Sequence, residues 1–301
     1  MLLKSFPILV LSAILLCGEP VSAQTYYTYE KPVAEETLHH RAPRVPEYVV
    51  FAGDTVRFDR DDLYERMDRE FLAFTYMHST TTLMLKRSKR YFTIVEPILR
   101  TYGIPEDLKY LMVIESNLDP RALSSAGAAG LWQFMKSAAK NYGLTVNDEV
   151  DERYNVRKET VAACKYMKDA RRKVRDWMSV CACYNAGPAN IVKRLTDQGV
   201  KTALDAFLPA ETARYMFRVL ACKMLFEDPA AFGFEVTEAD MYPYRPPKAS
   251  VEVDGPVPDL YAFAKEHNTT YFALKEANPW LRSDKLTNME GQKYEIVIPL
   301  W

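Results

Sequence analysis

The 301-residue sequence has little of what metal sites and nucleic-acid interfaces require. It contains five cysteines and only four histidines, and these make no metal-ligand spacing with one another. The 39 Lys and Arg residues are balanced by 40 Asp and Glu residues, which leaves a net charge of −1. Such a balance argues against a dedicated nucleic-acid binder. We therefore expect no metal, no organic cofactor and no nucleic-acid partner.

Long hydrophobic runs are missing everywhere except at the N-terminus. There, the apolar run Phe6–Leu16 follows an early lysine and precedes Val21-Ser22-Ala23. This layout is typical of a cleaved signal peptide over residues 1–23, and the run is too short to cross a bilayer comfortably. We expect an exported protein of the periplasm or cell envelope. Leu16 stands where a lipoprotein signal needs a small residue before Cys17, so membrane association is expected only if that cysteine is lipidated.

Four cysteines remain after the expected cleavage, and all of them lie among apolar residues in segments with helical periodicity. Cys181 and Cys183 are two positions apart and would point to different sides of one helix. The sequence therefore favours buried small hydrophobic residues over disulfides for Cys164, Cys181, Cys183 and Cys222.

The rest of the chain divides into four segments by composition and periodicity. Residues 24–56 are rich in Tyr, Pro, Glu and His without a period and are interpreted as an extended leader. Residues 57–235 show amphipathic helical stretches separated by Gly and Pro boundaries, which predicts an all-α domain with a motif core at 97–226. A Pro-rich linker over 236–250 leads to a strand–helix–helix–strand module over 251–301. The predicted fold class is mainly α.

One acidic residue interrupts an apolar helical stripe. Leu108, Leu111, Met112 and Glu115 share a helix face by three-and-four spacing, and Asp119-Pro120 should end the helix soon afterwards. A carboxyl group in such surroundings loses hydration, which raises its pKa and suits it to general-acid catalysis. A structural glutamate that accepts backbone or arginine hydrogen bonds is the alternative.

A run of small residues follows this helix. Residues 122–130 carry no bulky side chain after Leu123, and residues 131–135 then place Gln133 between aromatic residues. Small residues let a backbone approach a ligand closely, while hydroxyl and amide groups offer hydrogen bonds. Taken singly these features are typical of a tight loop and a core; together they suit a groove for a long polar ligand with apolar sugar faces.

The order E-S-x-x-x-P-x-A-x-S-x-x-G-A-x-G-L-x-Q-x-M, from Glu115 to Met135, resembles the motif of soluble lytic transglycosylase domains with a goose-lysozyme-like fold. Three later blocks resemble that family in the same order: Asp151–Asn155 with Ala162–Tyr166, Ala182–Pro188, and Glu211–Tyr215. The wider chain is most similar to membrane-bound lytic transglycosylases of the D type, which carry C-terminal LysM modules.

The resemblance implies a function and a set of site residues. Glu115 would protonate the glycosidic oxygen between N-acetylmuramic acid and N-acetylglucosamine in peptidoglycan, then take the C6 hydroxyl proton as a 1,6-anhydro ring forms. The resemblance also implies that Ser124 and Gln133 contact the sugars, that Tyr184 and Asn185 lie beside the catalytic glutamate, and that Tyr215 lines the groove. Ser116, as a helix-end cap, and Glu211 would have supporting roles. The partner would be peptidoglycan glycan strands, and we expect a monomer.

Two alternatives to this function remain open. Ordinary glycosidases need a second carboxylate. Asp119 is the nearest in sequence but is interpreted as a turn residue, which mildly favours transglycosylation over a hydrolytic goose-type lysozyme. A non-catalytic peptidoglycan-binding or scaffolding protein is the other alternative. The C-terminal module resembles only the second half of LysM, so it could bind glycan or pack on the catalytic domain.

Overall fold

The computed structural model describes residues 41–289 and 291–300. The predicted signal peptide, Cys17 and the first part of the predicted leader lie outside these residues. In the described part of the chain, no helix combines the length and the apolar character that a membrane span requires.

The described chain begins with a β-hairpin that the sequence did not predict. Strand β1 (Tyr48–Phe51) pairs antiparallel with β2 (Asp54–Arg57) across a two-residue turn in which Ala52 and Gly53 both have positive φ. The interpretation of residues 24–56 as extended leader is therefore wrong at its C-terminal end. Each strand has only four residues, too few for the alternation of Val49, Phe51 and Val56 to stand out as a period-two pattern.

Eight α-helices make up the predicted all-helical region among the described residues. They are α1 (Asp61–Tyr76), α2 (His78–Thr101), α3 (Lys109–Ser116), α4 (Lys136–Asn141), α5 (Val156–Arg171), α6 (Trp177–Ala186), α7 (Pro188–Gln198) and α8 (Ala210–Glu227). Boundaries fall at the predicted Gly and Pro positions, for example Gly187 between α6 and α7, because a positive φ or a missing N–H cannot continue a helix. The mainly helical prediction is confirmed.

Helix α3 begins and ends for reasons visible in the sequence. A 3₁₀ turn over Glu106–Leu108 follows Pro105 and leads directly into the helix. Asn117 and Leu118 both adopt left-handed backbone conformations, which stops the helix after Ser116. Glu115 consequently lies in the last turn.

The helical core is centred on α8, which packs against α1, α3 and α6. Residues such as Phe217, Leu220 and Met216 on α8 are fully buried. The four described cysteines are buried free thiols, so they pack as small hydrophobic residues.

The C-terminal module has the predicted order of elements. Strand β3 (Ala249–Val253) pairs antiparallel with β4 (Tyr294–Ile298), and α9 (Leu260–Glu266) and α10 (Tyr271–Ala277) lie between them in sequence. Strand β3 begins two residues earlier than predicted, within the segment interpreted as linker. The preceding residues contain a short 3₁₀ helix at Glu238–Asp240 and contact α2, where the backbone N–H of Tyr242 donates to the carbonyl of Lys86.

The module packs directly on the loop region that precedes α5. Ala129, Val150 and Tyr154 share one buried cluster with module residues that include Leu281 and Ile296. Four hydrogen bonds cross the same contact: Asp151 N to Trp280 O (2.9 Å), Arg282 N to Glu149 O (2.8 Å), and Thr287 N and Oγ1 to the Glu149 carboxylate (2.6 Å each). Of the two roles left open for the module, packing on the helical domain is therefore observed.

Candidate active site

The candidate site is organised around the carboxyl group of Glu115. Tyr215 Oη donates a hydrogen bond to Glu115 Oε1 over 2.7 Å. Burial raises the pKa of Glu115 to about 7, against the lowering effects of this hydrogen bond and of the Arg218 charge; the negative charge of Glu211 raises it further. The carboxyl group can therefore both give and accept a proton near neutral pH.

Helix α8 supplies one wall of the site. Glu211, Tyr215 and Arg218 recur at four and three positions on one helix face, and they line a cleft of about 290 Å³ together with Arg69, Ala210 and Arg214. Tyr215 is buried, with 5% of its surface exposed. The resemblance implied a groove-lining role for Tyr215, and the structure adds a direct bond between its hydroxyl and the glutamate.

Glu211, which lines this cleft, contacts Asn185 at the C-terminal end of α6. Asn185 Nδ2 donates to Glu211 Oε1 at 3.4 Å, a long and weak hydrogen bond. The supporting role of Glu211 stays a prediction, and this contact is the one hydrogen bond its side chain makes among the described residues.

Tyr184 lies near Glu115 but uses its hydroxyl elsewhere. Its Oη donates to the backbone carbonyl of Trp132 over 2.8 Å, and its ring packs edge-on against Tyr166. Burial, followed by the charge of Glu115, raises the pKa of Tyr184 well above its ordinary value. The hydroxyl therefore links α6 to the loop after the small-residue run.

The loop over residues 122–133 is held by its own polar groups. Ser124 Oγ accepts from Ala128 N at 3.0 Å, and Ser124 N donates to Ala128 O at 2.8 Å. Gln133, with φ near +50°, donates from Nε2 to the carbonyls of Ala122 (3.2 Å) and Gly130 (2.8 Å). Both side chains are half-buried, and the Ser124 hydroxyl hydrogen and the Gln133 Oε1 atom are the groups that can serve a ligand.

Glu159 is a second buried acid that sequence reasoning missed. Its side chain is fully buried and accepts hydrogen bonds from the backbone N–H groups of Leu131 (3.2 Å) and Trp132 (3.1 Å). Burial raises its pKa well above the ordinary value. An acid in the first turn of a helix normally complements the helix dipole, so its position alone gave no sign of this bracing role.

Arg153 holds the same loop from the other side. Its Nη1 donates to the carbonyls of Gly127 (2.7 Å) and Phe134 (3.1 Å), while Nε and Nη2 bind the Asp151 carboxylate. The backbone of Arg153 also explains Gly130, where a Cβ atom would lie 1.7 Å from the Arg153 carbonyl oxygen. The sequence marked Asp151–Asn155 as a motif block without a role for any of its residues.

The remaining predicted positions are structural in their contacts. Ser116 Oγ donates to the Met112 carbonyl at 3.0 Å within the last turn of α3, and the residue is buried. Asp119 Oδ1 accepts from Arg121 N at 3.0 Å, as expected of a turn residue. Across residues 41–289 and 291–300, no group of three or more His, Cys, Asp or Glu side chains is arranged to hold a metal ion.

Comparison with known proteins places this geometry in a family context. Residues 94–205 match the model of the transglycosylase SLT domain, and residues 249–300 match that of the soluble lytic transglycosylase C-terminal LysM-like domain. Both matches agree with the resemblance drawn from the motifs.

Curated relatives and a solved structure match parts of the chain. The membrane-bound lytic murein transglycosylase D of Escherichia coli K12 is 27% identical over 198 residues, which cover 63% of this chain and 43% of the relative. A putative tributyltin chloride resistance protein of Alteromonas sp. strain M-1 is 24% identical over 123 residues, or 40% of this chain and 59% of that protein. The crystal structure of the 70 kDa soluble lytic transglycosylase of E. coli aligns with a TM-score of 0.41 and 18% identity, covering 60% of this chain and 33% of that one.

This chain thus spans less than half the length of the first of these relatives. Along the chain, the stretch similar to the transglycosylase SLT domain is followed by the stretch similar to the LysM-like domain found at the C-terminus of soluble lytic transglycosylases.

Proposed function

We propose that the protein is a peptidoglycan lytic transglycosylase that cleaves the β-1,4 bond between N-acetylmuramic acid and N-acetylglucosamine and leaves a 1,6-anhydro end. The observation that carries the proposal is the carboxyl group of Glu115, with its pKa raised to about 7 and its position held by the hydroxyl of Tyr215. The SLT-domain match and the similarity to the E. coli membrane-bound lytic murein transglycosylase D support the same reaction class.

One carboxyl group suffices for both proton transfers. Protonated Glu115 gives its proton to the glycosidic oxygen as the bond from that oxygen to C1 of the muramyl residue breaks. The resulting carboxylate then accepts the proton of the C6 hydroxyl as O6 bonds to C1, which closes the anhydro ring and returns Glu115 to its protonated form. No water is consumed, and a pKa near the working pH suits a group that acts as acid and then as base.

The loop groups have complementary roles in the proposal. The Ser124 hydroxyl hydrogen and Gln133 Oε1 contact the sugars, while Tyr184 orients the loop through its bond to Trp132 O. Asn185, held by Glu211, contributes its remaining amide atoms to the substrate. Glycan strands of the cell wall are the substrate, which requires a protein delivered to the cell envelope.

Hydrolysis is the second candidate, and one observation favours it. Glu211 is an exposed carboxylate in the same cleft as Tyr215, and its charge acts on Glu115. Two carboxyl groups that flank a scissile bond can activate water, as in inverting and retaining glycosidases. The products of the two reactions differ by one water molecule.

The test is mass spectrometry of soluble muropeptides released from purified sacculi. Wild-type protein is expected to release products with 1,6-anhydromuramic ends, and Glu115→Gln is expected to release none. Glu235→Gln, which changes an exposed acid outside the cleft, serves as the matched control and should behave like wild type.

Two other results would contradict the proposal. Products heavier by one water, with reducing ends, would establish a lysozyme. No products from folded wild-type protein, combined with retained sedimentation on sacculi, would establish a binding protein.

A further inference from the structure

We propose that an arginine-lined surface beside Glu115 binds the carboxylates of the peptide stem carried by N-acetylmuramic acid, so that the enzyme prefers stem-bearing strands with free carboxylates. This inference rests on the proposed function, whose site it deepens. The surface, here called the arginine cleft, is defined by Arg69, Phe207, Ala210, Arg214 and Arg218.

The arginine cleft is continuous with the candidate active site. Two cavities, of about 290 and 310 Å³, share Arg69, Ala210 and Arg214. The first cavity includes Tyr215, whose hydroxyl bonds Glu115, and the second extends to Phe207. A ligand can therefore reach from Tyr215, the residue bonded to Glu115, to Phe207 without leaving the cleft.

Positive charge in the cleft exceeds negative charge. Arg214 is held in place by two bonds from its guanidinium group to Glu70, which is 1% exposed. Arg218 is farther from the same carboxylate, with 4.0 Å between Arg218 Nε and Glu70 Oε2. Arg69 makes no hydrogen bond or ion pair with any residue in the described part of the chain. A fourth arginine of the two cavities, Arg66, pairs with Asp62 at 3.6 Å. The other three arginines meet two carboxylates, those of Glu70 and Glu211, and one positive charge is left uncompensated for an anionic ligand.

The far end of the cleft is apolar and fixed in place. Phe207 is 85% exposed, yet its backbone N–H donates to Gln198 Oε1 (2.6 Å) and its carbonyl accepts from Gln198 Nε2 (3.1 Å). Leu208 and Ala213 line the same part of the cleft. Guanidinium groups followed by a rigid apolar patch suit a short acidic peptide with small side chains better than a bare sugar chain.

The cleft is also coupled to the catalytic group. The charge of Arg218 lowers the pKa of Glu115. A substrate carboxylate bound at Arg218 would offset that charge and favour the protonated acid, which is the form required to start the reaction. Binding of the stem at Arg218 and protonation of Glu115 would then favour each other.

The experiment compares two substrates that differ only in charge. Soluble uncrosslinked glycan strands with intact stems are used either as isolated or after carbodiimide-mediated conversion of the stem carboxylates to amides. Binding constants and initial cleavage rates are measured on both, with the full chain. We expect wild-type protein to favour the charged strands by about five- to tenfold, the size of one charge-assisted contact in a partly exposed site.

Variants assign this preference to the cleft. Arg69→Gln removes an exposed side chain and should lower the ratio of charged to amidated strands several-fold in binding and in KM. Arg69→Gln combined with Arg218→Gln should bring the ratio close to one. Arg172→Gln changes another exposed arginine, which lies outside the cleft and pairs with Asp169, and it should leave the wild-type ratio unchanged.

The outcomes separate this inference from the proposed function. Anhydro products formed equally from both strands, or a preference that survives in both arginine variants, would overturn the arginine cleft and leave the transglycosylase intact. Preferential binding of charged strands without any cleavage would overturn the proposed function and support the cleft.

Discussion

Replacing Tyr215 by phenylalanine removes one hydroxyl group and with it the hydrogen bond to Glu115 Oε1. Phenylalanine keeps the ring that packs in the core, so the change addresses the bond itself. The hydroxyl donates to a carboxylate more strongly than to a protonated carboxyl group, and it therefore lowers the pKa of Glu115. The pKa should rise when the donor is lost.

The size of that rise follows from the strength of the bond. Hydrogen bonds to charged groups contribute about 1.5–3 kcal/mol, and one pKa unit corresponds to about 1.4 kcal/mol. Loss of the donor should move the pKa of Glu115 upward by about one to two units from its starting value of about 7.

The assay is the pH dependence of kcat/KM on soluble glycan strands. Because the proposed reaction starts from a protonated Glu115, activity should fall as pH rises through the pKa of this group. In Tyr215→Phe this fall should lie at higher pH than in wild type, even if the maximal rate is reduced. Tyr142→Phe, which removes a phenol hydroxyl that donates to Asp169 at 3.2 Å, is the control and should leave the profile in place.

A fall in activity at the wild-type pH, or one shifted to lower pH, would refute the reasoning. The first result would mean that the bond to Tyr215 does not distinguish the two protonation states. The second would mean that another group controls the profile.

Three further predictions concern stability and the loop. Glu115→Gln should stabilise the protein at pH 8 by up to about 3 kcal/mol. The folded state holds the Glu115 proton more tightly (pKa about 7) than the unfolded chain does (about 4.5), so wild type loses stability as pH rises from 4.5 through 7, and glutamine does not. Denaturant unfolding at pH 4 should therefore show no gain for the variant. Gly130→Ala should destabilise the protein strongly or prevent folding, because the added Cβ would overlap the backbone carbonyl of Arg153. Gly127 also has a positive φ but faces open space, so Gly127→Ala should lower the free energy of unfolding by only about 1 kcal/mol. Equal shifts of Tm for the two variants would refute this. Leu281→Ala should lower the free energy of unfolding by about 2–5 kcal/mol, because Leu281 is buried. It should also reduce cleavage of short soluble strands, since Leu281 packs in the cluster that contains Ala129 of the loop, whereas the exposed Met289→Ala should change neither quantity. A loss of cleavage confined to insoluble sacculi would instead indicate a glycan-binding module.

The helix that carries Glu115 could be predicted because its determinants are local. Pro105 precedes its first turn, an apolar stripe marks its buried face, and Asp119-Pro120 limits its length. The same stripe indicated the raised pKa of Glu115, since burial follows from periodicity. The hairpin before α1 was missed because strands of four residues leave too little pattern.

The contacts that complete the site could not be predicted from the sequence alone. Tyr215 is 100 positions from Glu115, and helical periodicity gives the face of a residue but not the partner of its hydroxyl. Tyr184 was expected beside the glutamate, but its hydroxyl donates to the backbone carbonyl of Trp132. Every residue has a backbone carbonyl, so the pattern of side chains cannot predict which one is the partner. Glu159 was missed for the same reason, because its partners are two backbone N–H groups.

The shared cluster of Ala129, Val150 and Tyr154 with the C-terminal module has a consequence for the order in which the protein matures. A ribosome makes the loop over residues 122–133 well before strand β4 (Tyr294–Ile298). A nascent chain therefore contains Glu115 and Tyr215 while the floor of that loop is still open to water. Glu159 and Arg153 can brace the loop before that point, but Ala129 is covered by the module only after β4 has paired with β3. A prematurely ended chain would therefore keep Glu115 beside a loop whose apolar side is exposed to water.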